Sequence, residues 1–163
     1  MLSFIEQKIV DADSLRLRLA QWRFAQQKIV FTNGCFDLLH YGHIHYLAAA
    51  RALGDKLIIG LNAASSVQRL KGKHRPIQDE VSRKHLLAAF FFVDAVIAFS
   101  EDTPYLLIEH IQPDILVKGG DWSPDKIVGS DIVLAKGGIV TSLPFQEGYS
   151  TTRIEERIRL KPQ

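Results

Sequence analysis

An α/β fold, a parallel sheet with helices on both faces, is predicted by three observations. Short runs rich in β-branched residues alternate with helix-like stretches along nearly the whole chain. Most of those runs are continuously apolar rather than alternating, as strands buried on both faces are. Motifs of glycine, hydroxyl and basic residues follow three of them, at the carboxyl ends where parallel sheets bind ligands.

Taken in order, KIVFTN (28–33) is the first strand, and a helix follows over 41–53. KLIIGLN (56–62) is the second strand, followed by a helical SSVQRL. A helix near 79–92 carries EVSRKHLLAAFFF, polar at its start and apolar at its end. DAVIAFS (94–100) is the third strand, and Pro104 opens the helix PYLLIEHI, its fixed φ suiting a first turn. DILVKG (114–119) precedes a helix over 129–136, and GIVTSLP (138–144) precedes one that starts near Ser150. Residues 1–26 read as one further helix, with Leu15, Leu17, Leu19, Trp22 and Phe24 among charges. They are expected to be a packing or interface extension to a main domain of residues 27–163.

A chain of 163 residues suits a single core, and a hydrophobic fraction of 47% argues against disorder. The longest apolar runs, Leu86 to Val93 and Ala95 to Phe99, are split by Asp94 and fall short of the roughly 20 residues of a membrane span. Glu6 and Lys8 lie within the first ten residues, which do not resemble a signal peptide. Cys35 is the one cysteine and can form no internal disulfide, which fits a reducing compartment. The expectation is a cytoplasmic protein with no membrane partner. A net charge of +2 is too small to argue for nucleic acid. Lys71, Lys73, His74 and Arg75 cluster in LKGKHRP, which suits a phosphorylated metabolite and reads equally well as a solvated loop.

The stretch CFDLLHYGH puts His40 and His43 around Gly42 where a strand gives way to a helix. A helix N-terminus leaves amides free and attracts anions. Gly42 would let a phosphate approach the backbone, and the two imidazoles could donate to phosphoryl oxygens as negative charge builds. The bland alternative is a pair of ordinary helix residues. A zinc site of His40, His43 and His45 lacks a carboxylate or cysteine at ligand spacing. In GYSTTR, the hydroxyls of Ser150, Thr151 and Thr152 suit a phosphate cradle or a plain N-cap. VKGGDW is either a glycine turn or a place where Lys118 and Asp121 hold a phosphate and a sugar hydroxyl. Neither GxxxxGK[ST] nor GxGxxG occurs.

With TNGCFDLLHYGH, RLKGKHRP, DILVKGGDW and EGYSTTR in this order, the chain from about Lys28 to Arg157 resembles the HxGH nucleotidyltransferases. Within them it is most similar to the adenylyltransferase half of bifunctional heptose-phosphate kinase/heptose 1-phosphate adenylyltransferases. The resemblance implies a Rossmann-like fold of the nucleotidyltransferase type. It implies transfer of AMP from ATP, with Mg²⁺, to D-glycero-β-D-manno-heptose 1-phosphate, giving ADP-heptose for lipopolysaccharide and pyrophosphate. It implies that His40, His43 and Lys71 are catalytic. Thr32, Asn33, Gly34, Cys35, Phe36, Gly42, Lys118, Gly120 and Asp121 would border the nucleotide, and Ser150, Thr151 and Thr152 its β- and γ-phosphates. Lys73, Arg75 and Arg83 would bind the acceptor, and Asp37 would either bind metal or order the start of the helix. A homodimer is expected, with the sugar kinase on a separate chain. Related cytidylyltransferases for glycerol 3-phosphate or other alcohol phosphates begin an RTEGIS phrase with arginine, where FQEGYS here has Phe145. That makes CTP transfer to such an acceptor the alternative, and a non-catalytic nucleotide-binding module another.

Overall fold

The computed structural model describes residues 1–160. The five apolar runs form strands β1 (Ile29–Gly34), β2 (Lys56–Asn62), β3 (Ala95–Phe99), β4 (Ile115–Gly119) and β5 (Ile139–Leu143). They pair in parallel in the order β3-β2-β1-β4-β5, with Phe31 beside Ile58 on one flank and Leu116 on the other. The chain thus winds outward from β1 and then crosses back to β4. At that reversal the flanking connections leave in opposite directions and open a crevice above the strand ends.

Period-two alternation sends successive β1 residues into two cores. Ile29 and Phe31 pack with Leu15, Leu19, Ile108, Ile111 and Val133. Those residues come from α2 (Ala12–Phe24), α6 (Tyr105–Ile111) and α7 (Ser130–Ala135). Val30 packs on the other face with Tyr46, Leu47, Ala50, Leu87 and Ala88. These belong to α3 (Tyr41–Arg51) and α5 (Glu80–Ala88). The remaining helices are α1 (Leu2–Glu6), α4 (Ala64–Lys71) and α8 (Thr151–Arg159).

Residues 1–26 contain two helices rather than the one expected. Between them Val10 N–H donates to Val96 O, and Val96 N–H to Lys8 O, so this segment pairs along the free edge of β3. Covering an edge strand satisfies its unpaired backbone groups, and Asp11 restarts the helix by accepting from Ser14 N–H at 2.8 Å. Leu15 and Leu19 are buried while Leu17 and Phe24 are exposed. The predicted 79–92 helix is shorter than expected. It ends at Ala88, and Phe90 stacks on Phe92 in the turn beyond. No helix among the described residues is long and apolar enough to cross a membrane.

Candidate active site

β1 ends in Asn33 and Gly34 at the mouth of the crevice, and residues 35–40 lead into α3. Phe36 has a left-handed backbone, φ 44°, and its ring lies over Gly34, where a Cβ would come within 3.0 Å of it. The same ring meets the His43 imidazole edge-on at 5.5 Å. Gly34 is therefore required by the ring that supports His43.

His40 is the N-cap residue of α3 and His43 lies in its first turn. The two rings sit 4.0 Å apart, tilted by 34°. A Cβ on Gly42 would stand 3.0 Å from the His40 ring and 3.2 Å from the Tyr149 Cβ. The glycine therefore seats the imidazole, and the ring occupies the space in which a phosphate was expected. Both Nδ1 atoms are buried without a partner. Burial, with Lys71 and His40 nearby, pushes His43 down to about 4, and burial also lowers His40. Both imidazoles are neutral near pH 7 in the ligand-free chain.

The opposite wall comes from β4, β5 and α8. Lys118 at the end of β4 reaches Asn33 Oδ1 at 3.4 Å, and burial lowers its pKa. The Phe145 ring covers Gly119, where a Cβ would lie 2.8 Å from it. Ser150 caps α8 by accepting from Arg153 N–H at 3.2 Å, which leaves the Thr151 and Thr152 amides of the first turn open. Thr151 lines the same cleft as His43, Lys71, Lys118 and Asn33. Two helix N-termini, those of α3 and α8, thus border two adjoining clefts, one lined by His40 and His43 and the other by His43, Lys71 and Lys118. Such a site suits a chain of phosphates.

Residues 31–157 match the model of the cytidylyltransferase-like family. The chain belongs to that family. Its relatives include the bifunctional protein HldE of Citrifermentans bemidjiense, 51% identical over 153 residues and 94% of this chain. HldE of Nitrobacter hamburgensis is 52% identical over 153 residues and 93% of this chain. Each match covers 31% of the relative, so the chain spans about a third of the length of these curated proteins. Among solved structures it is similar to the lipopolysaccharide core biosynthesis protein from Thermoplasma volcanium GSS1, at 31% identity and TM-score 0.59. That match covers 76% of this chain and 99% of the other. The pantoate-beta-alanine ligase from Francisella tularensis shares the fold at 16% identity and TM-score 0.56, over 93% of this chain and 76% of that one.

Of the predicted site residues of this cytidylyltransferase-like chain, the fold gathers His40, Gly42 and His43 with Asn33, Gly34, Cys35, Phe36, Lys71, Lys118, Ser150 and Thr151 around adjoining clefts. Others are placed differently. Thr32 is fully buried, with Oγ1 2.6 Å from the Tyr46 hydroxyl, so its side chain braces β1 against α3. Asp37 is 2% exposed and its carboxylate is engaged within the protein: it accepts from Ile77 N–H, Gln78 N–H and Arg75 Nη1 at 2.7–2.9 Å. Arg75 is held between Asp37 and Glu155 and is not free for an acceptor. Arg83 is fully buried and its Nη1 donates to Cys35 O and Asn62 O, both at 2.8 Å, so it shapes the loop after β1, while Nε and Nη2 are buried without a partner. Gly120 is buried in a left-handed turn, φ 104°, while Asp121, Lys73 and Thr152 are exposed outside the cleft lining. Sequence reasoning missed Tyr46 and Tyr149, aromatic residues in positions where a core residue and a loop residue look alike.

The depressed His43 has a consequence for stability. The unfolded imidazole takes a proton near pH 6.5 and the folded one only near 4. Between these values the unfolded state binds more protons, so the stability His43 contributes is whole above about pH 6.5 and is lost as pH falls toward 4. Urea unfolding of the ligand-free protein at pH 7, 6, 5 and 4.5 is expected to show this decline, and His43→Ala to flatten it. An unchanged slope in the variant would assign the decline to other groups.

Proposed function

We propose that this chain transfers AMP from ATP to D-glycero-β-D-manno-heptose 1-phosphate, giving ADP-heptose and pyrophosphate. The observation that carries the reading is the pair of adjoining clefts at the α3 and α8 N-termini, one lined by His40 and His43 and the other by His43, Lys71 and Lys118. An acceptor phosphate oxygen attacks the α-phosphorus of ATP while the bond to the bridging oxygen of the β-phosphate breaks, and pyrophosphate leaves with that electron pair. The nucleophile is already anionic, since the second pKa of a phosphate monoester is about 6. No general base is needed. The work of the site is to bring two anions together in line and to spread the charge that builds. An arriving polyphosphate also favours the charged form of the two imidazoles.

Mg²⁺ belongs to this reading as part of the ATP substrate. Among the described residues no group of three His, Cys, Asp or Glu side chains is arranged to hold a metal, and the carboxylate of Asp37 is fully engaged. The ion is therefore carried on the phosphates, with the protein supplying cations and amides around them. Phe145 supports ATP over CTP, because its ring offers a flat apolar surface over Gly119 and no donor where the related cytidylyltransferases have arginine. The acceptor's own phosphate must come from a kinase acting on the sugar.

Pyrophosphate release with Mg²⁺, the heptose 1-phosphate and either ATP or CTP tests the proposal. Release with ATP and not CTP is expected. Release with CTP alone would overturn the choice of nucleotide, and silence with both would overturn the choice of acceptor or the activity itself.

A further inference from the structure

We propose that Glu155 is a positioning residue of the phosphate cleft, acting through Arg75 to hold the first turns of α8 against the loop that carries His40. This rests on the function proposed above and adds to it a residue outside the cleft lining. Arg75 joins three segments. Its Nη1 donates to Asp37, which lies between β1 and His40, at 2.7 Å. Its backbone belongs to the stretch that follows Lys71. Its Nη2 pairs with Glu155 on α8. One guanidinium therefore ties together the segments that present the histidines, the lysine and the Ser150–Thr152 hydroxyls.

α8 depends on such a tie because it has no buried residue. The half-buried positions Thr151, Ile154 and Glu155 form its inner side. Thr151 and Glu155 are four apart and share a face. The same face that turns Thr151 into the cleft thus delivers Glu155 to Arg75, and the position of the Thr151 and Thr152 amides follows from that pair. The Glu155 and Arg75 side chains are 19% and 20% exposed. Both are largely shielded from solvent, and the element they hold, α8, has no buried residue of its own. The effect of the pair is local, because Arg75 keeps Asp37 when Glu155 is lost and the 72–79 loop stays anchored.

Glu155→Gln tests this, with Arg159→Gln as the control, since Arg159 lies 4.0 Å from Glu155 on the exposed side of the helix. Hydrogen exchange of the amides of residues 151–159 and the affinity for inorganic pyrophosphate are read first, because neither needs turnover. Glu155→Gln is expected to lose protection in α8 alone and to bind pyrophosphate about tenfold more weakly. The KM for ATP should rise by a similar factor while kcat changes by less than about threefold. Arg159→Gln should match wild type. Unchanged exchange and affinity in Glu155→Gln would overturn the proposal. So would a lowered KM for the acceptor, which would make Glu155 a competitor for Arg75, or a loss of protection throughout the chain. A wild-type protein that releases no pyrophosphate from ATP defeats the proposed function alone, since the exchange and affinity results still decide the role of Glu155.

Discussion

His43→Ala is expected to lower turnover with ATP and the heptose 1-phosphate by at least about 10²-fold, the scale of removing one donor from a site of developing charge. The structure gives the reason for so large a loss. The ring is set by an edge contact with Phe36 and by His40 at 4.0 Å, so under the proposed function it would serve the reacting phosphates from a fixed position. Its Nδ1 makes no hydrogen bond within the protein, and truncation therefore leaves no protein group newly unpaired. Activity should fall while the fold at pH 7 stays nearly as stable as before. Steady-state pyrophosphate release beside urea unfolding reads both. Near-normal turnover would remove His43 from the mechanism, and a matching fall in stability would make it a packing residue.

Asp37→Ala is expected to do the opposite, destabilising the chain by about 3–5 kcal/mol, the usual cost of breaking a buried pair from one side. Two backbone amides and the Arg75 guanidinium would lose their acceptor together. Burial pushes the Asp37 carboxyl up, but the Gln78 and Ile77 amides and Arg75 outweigh it and hold the group below the usual carboxylate value. The stability it contributes is present above its unfolded pKa near 4 and is lost as pH falls below that, a window separate from that of His43. Thermal unfolding of the nucleotide-free wild type with and without Mg²⁺ separates this role from metal binding. No shift is expected, whereas a clear rise in Tm that vanishes in Asp37→Asn would restore Asp37 as a ligand.

Much of this chain is legible before any coordinates. All five strands lie where continuous β-branched runs fall between breakers, and the YST phrase stands at a helix start because a hydroxyl there accepts from a first-turn amide. The histidine pair and the Ser150 cap were readable for the same reason: their neighbours in sequence are their neighbours in space. The segment at 1–26 was not, because its break comes from pairing Lys8–Val10 with Val96, a contact across the chain. The 79–92 helix was overextended because Leu86 to Val93 is apolar throughout, and periodicity cannot show where such a run turns away from its helix.

The charged residues divide along the same line. A sequence states that Asp37, Arg75, Arg83 and Glu155 carry charge, and with the resemblance it pointed the first three toward metal or substrate. Tertiary packing gives all four a partner within the protein, since a buried carboxylate or guanidinium takes the nearest donors or acceptors when solvent is withdrawn. Arg83 found the Cys35 and Asn62 carbonyls, and Arg75 found two carboxylates 38 and 80 residues away. Local order in the chain sets which groups can meet a phosphate at the strand ends. Burial and distant partners decide which of the remaining charges are left to meet it.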